Sequence, residues 1–393
     1  MKIISVNAGS SSLKFQLFEM DNETTIASGL IERIGLEQGI VTIKYSGKKI
    51  VNNLEVKDHK VAVDILLKAL FENHIIETID EIKGVGHRIV QGGEIFDSNC
   101  LINQKVVSDI LDLQELAPLH NKAHVTGINA FLEVLPNTPE VAVFDTTFHR
   151  TMDEVTYLYA TPYEWYTKYG IRKYGAHGTS HQYVSSICNH LLNKKDSKII
   201  VCHLGNGASI CAIRDGKCID TSMGLTPLEG IPMGTRSGNI DPTIFGVISK
   251  KENKTIDEIL NALNKESGLL GVSGISSDSR DIEDAMKSGI KRAELAFNIQ
   301  VKRIVDYIAS YYVLLEGLDA ICFTAGIGEN SSVTRKAIVD KLKVLNIYLD
   351  EDLNKLRGQN LISSKESSVK VYVIPTNEEV MIAREVIRLA NLK

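Results

Sequence analysis

Three arginines stand beside clusters of small residues, where their guanidinium groups could bind anions. Arg88 lies shortly before a Gly-Gly pair, Arg236 lies in MGTRSGNIDP, and Arg280 lies in SSDSRDI. A single exposed arginine is more often a partner in a weak surface ion pair. Three of them beside glycine- and serine-rich segments instead indicate recognition of phosphate or carboxylate, whose geometry the planar guanidinium matches.

Carboxylates stand where predicted strands end and a predicted helix begins. Asp145 directly follows the apolar run VAVF, a common place for a catalytic carboxylate, although a turn or capping role is equally expected. Glu378 and Glu379 begin a predicted helix, where the helix dipole alone favours acids. If Asn7 and Glu378 lie close together in the fold, their oxygens could hold Mg²⁺ directly or through water.

Two pairs of histidines have the spacing of metal ligands on a helix. His120 and His124 are four residues apart, as are His177 and His181 in AHGTSH. Neither pair has the glutamate of H-E-x-x-H, and Gly178 interrupts the second pair, so zinc is the minor interpretation. His124 and His181 are expected to be buried structural residues. His120 and His177 fall at predicted loop–helix junctions and are the better functional candidates.

Two segments, half a chain length apart, share a strand–turn–strand pattern. In residues 3–18 an apolar run leads into the small residues 7–12 and then into an alternating strand that contains Lys14. In residues 199–213 the small residues of LGNGAS again separate two apolar runs. This repetition predicts two related lobes, each with a turn that offers N–H groups and hydroxyls to a phosphate chain.

A third glycine-rich segment, 326–330, follows a predicted strand and is expected to be a turn before a helix. Such a turn suits a phosphate or adenosine contact, although the segment lacks the third glycine of a dinucleotide fingerprint. The P-loop pattern G-x-x-x-x-G-K-[ST] does not match any of these turns.

The remaining periodicity predicts α/β lobes in which strands come first and helices later. Asn103 is a predicted helix cap, and Thr255 with Glu258 forms a predicted capping box. The predicted strands are 25–34, 41–51, 82–90, 141–144, 318–324 and 369–374, and the main predicted helices are 58–74, 103–116, 122–135, 290–316 and 378–389.

Composition narrows the class of protein. The 393 residues suffice for two or three domains, and the net charge of −5 with mixed signs gives no reason to expect a nucleic-acid or membrane surface. The first predicted strand begins at Ile3, which leaves no room for a signal peptide. Six scattered cysteines without a C-x-x-C pair favour reduced core residues, and hence a cytoplasmic protein.

Eight segments, in order along the whole chain, together resemble the acetate kinase family. They are VNAGSSSLKF at 6–15, APLHN at 117–121, FDTTFH at 144–149, YGAHGTSH at 174–181, HLGNGAS at 203–209, MGTRSGNIDP at 233–242, FTAGIGEN at 323–330 and IPTNEE at 374–379. The resemblance implies two duplicated actin-like (ribonuclease H-like) βββαβαβα lobes with a cleft between them. Their expected bounds are 1–148, with the helix 381–393 packed on it, and 149–380. It also implies a homodimer and Mg²⁺-dependent transfer of a phosphoryl group from ATP to acetate, giving ADP and acetyl phosphate.

The resemblance further implies the residues of the site. The catalytic set is Asp145, His177 and Arg236, the last two stabilising the transition state. The substrate-binding set is Arg88, Val90, Leu119, His120 and Pro227. The nucleotide-binding set is Lys14, His203, Leu204, Gly205, Asn206, Gly207, Asp278, Ser279, Arg280, Gly326, Ile327, Gly328, Glu329 and Asn330. The magnesium set is Asn7 and Glu378, with Mn²⁺ as an alternative ion.

The chain departs from the family pattern at three positions. Ala176 stands where the family usually has a phenylalanine beside the acyl pocket, Ser279 replaces a bulky apolar residue, and Gln91 replaces a histidine. Ala176 leaves open a propionate or other short-chain acyl kinase. An actin-like nucleotide-dependent assembly protein and a zinc hydrolase using His177 and His181 are the alternatives from other classes.

Overall fold

The computed structural model describes residues 1–117 and 120–392. The chain divides into two compact units, the first made of Met1–Thr147 and Asn377–Lys393 and the second of Phe148–Thr376. Within the described residues, no helix combines the length and the apolar character that crossing a membrane requires.

The first unit is built on a mixed sheet. Its strands are β1 Lys2–Gly9, β2 Ser12–Glu19, β3 Thr24–Glu32, β4 Gly39–Tyr45, β5 Lys48–Leu54, β6 Ile82–Ile89, β7 Cys100–Leu101 and β8 Glu140–Phe144. They lie side by side in the order β5-β4-β3-β2-β1-β6-β8-β7. The pairs β1/β6 and β6/β8 are parallel, and the other neighbours are antiparallel.

The second unit repeats this plan. Its strands are β9 Lys198–Leu204, β10 Ala208–Arg214, β11 Lys217–Thr221, β12 Ala320–Thr324, β13 Asn360–Leu361 and β14 Lys370–Val373, in the order β11-β10-β9-β12-β14-β13. The pairs β9/β12 and β12/β14 are parallel. Three antiparallel strands followed by two parallel ones, with the first strand in the middle, therefore form the centre of both sheets. This shared order confirms the prediction of duplicated α/β lobes.

The helices are interspersed with the strands along the chain, and three helices of the second unit precede its first strand. They are α1 His59–Glu72, α2 Gln104–Asp112, α3 Asn121–Val134, α4 Glu154–Tyr157, α5 Tyr163–Tyr169, α6 Gly178–Leu192, α7 Thr243–Glu252, α8 Ile256–Lys265, α9 Gly268–Ser273, α10 Ser279–Lys287, α11 Lys291–Leu314, α12 Ala325–Asn330, α13 Ser332–Asp340 and α14 Glu378–Leu389. The cap at Asn103 and the Thr255–Glu258 capping box are confirmed.

The last helix returns to the first unit and packs on β1, β6 and β8. Two glycines of β6 allow this close approach. A Cβ at Gly84 would lie 2.4 Å from Val386 Cγ1, and one at Gly86 would lie 2.4 Å from Ile382 Cγ2. Because these positions lack side chains, α14 lies directly against the sheet and carries Glu378 at its N-terminal end.

Two segments that are predicted to be turns have a different secondary structure, so these two predictions are wrong. The first hairpin turns at residues 10 and 11 alone, because Asn7 pairs with Lys14 and Gly9 with Ser12 in the β1/β2 ladder. Small side chains are compatible with a strand, so composition overstated the length of this turn. Residues 326–330 belong to the short helix α12, which the chain enters directly from β12 through Ala325, whose φ is 63°.

Candidate active site

In the first unit, Arg88 and Asp145 form a two-point ion pair. Parallel pairing of β6 with β8 places both residues at the same edge of the sheet, one near the end of each strand. Arg88 donates from Nε to Asp145 Oδ1 at 3.0 Å and from Nη2 to Oδ2 at 2.8 Å. The buried Asp145 carboxylate raises the pKa of Arg88. The guanidinium is therefore held in one orientation, with its remaining nitrogen available to an anion.

Two further acids and a lysine surround this pair. Glu378 Oε2 lies 3.8 Å from Arg88 Nη2, and Glu379 forms an ion pair with Lys14. Burial raises the pKa of Glu378, and the charges of Asp145 and Glu379 raise it further against the opposing effect of Arg88. This group contains three carboxylates but only two cationic side chains.

The composition of this group fits a divalent cation. Hard oxygen ligands, namely carboxylates and amide oxygens, are those that Mg²⁺ prefers. Glu378 supplies a carboxylate in surroundings with an excess of negative charge, and Asn7 supplies an amide from β1, on which α14 packs. A cation would offset the repulsion that raises the pKa of Glu378.

The residues predicted to bind the carboxylic acid are divided between the units. Val90 directly follows β6 and is half-buried, and His120 precedes α3 and is exposed. Pro227 is half-buried in the second unit, in the loop after β11. Leu119 lies outside the described residues. Val90 thus stands two positions after Arg88, just beyond the end of β6, and the pocket as a whole stays a prediction.

In the second unit, His177 and Arg236 converge on one glycine. A Cβ at Gly207 would lie 3.5 Å from both His177 Nε2 and Arg236 Nη1. His177 stands just before α6 with a left-handed φ of 60°, an unusual conformation for a residue with a side chain. Its ring stacks on His203, with 4.1 Å between ring centroids. Burial lowers the pKa of Arg236.

The same glycine-rich turn lines a large cavity of the second unit. The cavity has a volume of about 750 Å³ and is bordered by three of the predicted nucleotide-binding segments. Its lining residues are Gly205, Asn206, Ser277, Asp278, Ser279, Arg280, Glu283, Gly326, Ile327, Asn330, Ser331 and Arg357. Sequence reasoning missed Ser277, Glu283, Ser331 and Arg357 as lining residues, although Ser277 stands in the serine-rich segment SSDSRDI.

Other members of the predicted nucleotide-binding set are structural neighbours of this cavity. His203 and Leu204 are buried at the end of β9. Glu329 Oε1 accepts hydrogen bonds from the backbone N–H groups of Ala325 at 2.9 Å and Thr376 at 3.2 Å. The carbonyl of Gly328 accepts one from Arg335 Nη1 at 2.8 Å. These contacts fix the strand-to-helix junction at which Gly326 and Ile327 border the cavity.

Arg280 forms an ion pair with Asp278 at the cavity. Its Nε donates to Asp278 Oδ1 at 3.0 Å, and this contact lowers the pKa of Asp278 to about 2. Both side chains are exposed to solvent, so the pair can exchange partners at little cost.

The zinc alternative finds no support in the arrangement of the histidines. His177 Nδ1 and His181 Nε2 both lie within hydrogen-bond distance of Ser209 Oγ. In the part of the chain that the structure describes, one group of three metal-ligand side chains has ligand atoms that all lie within 4.8 Å of one another, namely His149, Cys211 and Cys218. The two cysteines of that group belong to an apolar core cluster.

Comparisons with known proteins match nearly the whole chain to one family. Residues 2–384 match the model of the acetokinase family. An acetate kinase of Acholeplasma laidlawii is 62% identical over 392 residues, which cover 100% of both chains. The crystal structure of Porphyromonas gingivalis acetate kinase superposes with a TM-score of 0.95 at 41% identity over 99% of each chain. A propionate kinase from Francisella tularensis superposes with a TM-score of 0.93 at 44% identity, also over 99% of each. The chain belongs to the acetokinase family.

Proposed function

We propose that the protein transfers the terminal phosphoryl group of ATP, reversibly and in one step, to the carboxylate of acetate, giving acetyl phosphate and ADP. One observation carries this proposal. The turn Gly205–Gly207 lines a nucleotide-sized cavity and, at Gly207, meets the cationic Arg236 and the ring nitrogen of His177. Groups that neutralise charge thus lie next to the place that suits a polyphosphate.

The chemistry requires neutralisation of charge rather than a base. A carboxylic acid with a pKa of about 4 to 5 is already ionised at neutral pH, so the nucleophile needs no deprotonation. The barrier lies in bringing one anion against another and in aligning them. We assign Arg88 to the acceptor carboxylate, and Arg236 and His177 to the oxygens of the transferring phosphoryl group.

Asp145, Asn7 and Glu378 are assigned roles that support these cationic groups. Asp145 holds Arg88 by two hydrogen bonds and is assigned an orienting role, without proton abstraction. Asn7 and Glu378 would hold the ion, which when bound supplies positive charge to the phosphate oxygens. The cavity segments Gly205–Asn206, Asp278–Arg280 and Gly326–Asn330 are assigned to the nucleotide, and Lys14 to its phosphates.

Trapping of acetyl phosphate with hydroxylamine tests this proposal. Purified protein with ATP, Mg²⁺, acetate and hydroxylamine should form acetohydroxamate, and consumption of ATP should depend on the carboxylic acid. Arg236→Ala should lower kcat by a factor that corresponds to about 3 kcal/mol, as removal of single transition-state donors does. Arg303→Ala, a half-exposed arginine on α11, is the matched control and should leave kcat unchanged. Consumption of ATP without a carboxylic acid would instead favour an assembly or binding protein.

Ala176 favours a second candidate, a propionate kinase. Its side chain is small and buried, and its carbonyl accepts a hydrogen bond from His149 Nε2 at 3.0 Å. If this residue borders the acyl pocket, the pocket has room for a methylene that a phenylalanine would exclude. Values of kcat/KM for acetate, propionate and butyrate, in the wild type and in Ala176→Phe, decide between the two, because one methylene is worth about 1 to 3 kcal/mol.

We also propose that the protein is a cytoplasmic homodimer. Six free cysteines, five of them buried, suit a reducing compartment. The dimer rests on the family resemblance, and light scattering coupled to size-exclusion chromatography tests it directly.

A further inference from the structure

A buried serine lies within hydrogen-bond distance of the two histidines at the start of α6. Ser209 Oγ lies 2.9 Å from Nδ1 of His177 and 2.8 Å from Nε2 of His181. Ser209 and His181 are completely buried, and Nδ1 of His181 has no hydrogen-bond partner among the described residues. A hydroxyl has one proton and two lone pairs, so Ser209 either donates to one ring and accepts from the other, or accepts from both.

Three arrangements of the protons satisfy both hydrogen bonds. In the first, Ser209 donates to His177 Nδ1 and accepts from His181 Nε2–H. His177 then carries its proton on Nε2, and His181 keeps a bare lone pair on Nδ1. In the second, His177 donates from Nδ1, Ser209 donates to His181 Nε2, and His181 carries its proton on Nδ1. In the third, His177 Nδ1–H and His181 Nε2–H both donate to Ser209, whose own proton then has no acceptor among the described residues.

The second arrangement leaves a buried N–H group of His181 without an acceptor, and the third leaves the buried O–H group of Ser209 without one among the described residues. Orphaned buried N–H donors are rare in folded proteins, whereas an acceptor that lacks a donor is tolerated somewhat more often. A doubly protonated His177 would also have to donate from Nδ1 and would impose one of these two orphaned donors. We propose that Ser209 and His181 are positioning residues that hold His177 as a neutral imidazole with its proton on Nε2.

This arrangement has a direct use if His177 acts as assigned above, and to that extent the inference rests on the proposed function. Nε2 is the ring nitrogen of His177 that faces Gly207, where a Cβ would lie 3.5 Å from it and 3.5 Å from Arg236 Nη1. A proton there donates to a phosphoryl oxygen, whereas a lone pair there would repel one. Stacking on His203 fixes the plane of the ring, and Ser209 fixes its proton.

The test is the ¹⁵N NMR spectrum of the full-length wild-type protein with ring-labelled histidine at neutral pH, assigned with His177→Asn and His181→Asn. We expect His177 and His181 each to show a protonated Nε2 and an unprotonated Nδ1. A proton on Nδ1 of either ring would overturn the proposal. This measurement needs no substrate and no turnover. The tautomer proposal can therefore be refuted while the proposed phosphoryl transfer stands, and the phosphoryl transfer can be refuted while the tautomer proposal stands.

Variants of Ser209 test the consequence for the reaction. In Ser209→Ala, kcat should fall about tenfold, the equivalent of one neutral hydrogen bond, while the KM values for ATP and acetate stay within about twofold. The Nδ1 signal of His177 should shift in the same variant, and Ser209→Thr, which keeps the hydroxyl, should restore both properties. Ser197→Ala, which removes the hydroxyl of another completely buried serine in the same unit, is the control and should change neither.

Wild-type kcat in Ser209→Ala, with an unshifted His177 spectrum, would refute the positioning role. If Ser209→Ala does not fold, the spectrum of the wild-type protein still decides the question.

Discussion

Replacing Asp145 by asparagine tests whether this carboxylate orients Arg88 or removes a proton. The side chain keeps one oxygen that can accept from Arg88 Nε, but its amide NH₂ cannot accept from Nη2, which now donates to Asp145 Oδ2 at 2.8 Å. A hydrogen bond to a charged group contributes about 1.5 to 3 kcal/mol. With the lost attraction between charges, we expect a loss of about 2 to 4 kcal/mol, a roughly 30- to 1,000-fold fall in kcat/KM for acetate.

The hydroxamate assay measures this loss as a function of acetate concentration and pH. Since Arg88 is assigned to the acceptor carboxylate, the KM for acetate should rise while the pH profile keeps its shape. Combining Asp145→Asn with Arg88→Ala should cost little more than Arg88→Ala alone, because the first change acts through the arginine. Asp153→Asn, at an exposed position, controls for the substitution itself.

Recovery of activity in proportion to added imidazole would refute this reasoning, since an external base can replace a proton acceptor but cannot orient Arg88. Full additivity of the two substitutions would refute it as well.

Three further predictions concern stability. Burial lowers the pKa of His124 to about 3, so lowering the pH from 7 to 5 protonates this histidine only in the unfolded chain and costs about 2 kcal/mol. His124→Asn should remove that loss in urea titrations at the two pH values, and the exposed His190→Asn should not. Gly86→Ala places a Cβ 2.4 Å from α14 and should lower Tm, whereas Gly246→Ala, in a helix with open space around it, should raise stability by about 1 kcal/mol. Glu378→Gln should raise Tm at neutral pH without Mg²⁺ and abolish any gain in Tm from added Mg²⁺.

Local signals in the sequence predict most of the framework that carries the site. The last helix spans 378–389 as its apolar periodicity and acidic first turn indicate, and Asn103 and Thr255 cap the helices that follow them. The Arg88–Asp145 contact needs one more fact, the parallel pairing of β6 with β8, because the predicted strands 82–90 and 141–144 end close to these residues. These features depend on residues close together in the chain, or on one pairing of strands.

Contacts between distant polar residues could not be predicted in this way. Lys14 and Glu379 are paired across 365 positions of the chain, and nothing local distinguishes Glu379 from other acids at helix starts. Arg335, in SVTRKAIVD, has the sequence context of a surface residue, yet it is 1% exposed and binds the carbonyls at the end of α12. The role of Ser209 likewise depends on tertiary packing. Because α6 packs beside β9, two histidines lie within hydrogen-bond distance of the Ser209 hydroxyl.

The prediction for Glu378 follows from how the first unit's charges are balanced. Burial, Asp145 and Glu379 together outweigh the attraction of Arg88 and raise the pKa of Glu378 above 4.5. As the pH rises above 4.5, the unfolded chain loses this proton before the folded protein does, so ionisation of Glu378 destabilises the fold at neutral pH. Glutamine removes that charge, so the gain in Tm should appear at neutral pH and vanish at pH values below the unfolded pKa.

Glu385 lies on the same helix and is the matched control with the opposite sign. Hydrogen bonds from Arg388 and Asn99 lower its pKa despite burial, so Glu385→Gln should lower Tm at neutral pH. A Glu378→Gln protein that melts below the wild type without Mg²⁺ would mean that Arg88 stabilises this carboxylate more than its acidic neighbours oppose it. The first unit would then hold Glu378 as a structural ion pair, and the argument for a cation there would fail. A Glu378→Gln protein that melts above the wild type and no longer responds to Mg²⁺ would have the opposite meaning. It would show that the charge of Glu378 lowers the stability of the free protein and is neutralised only by a bound cation.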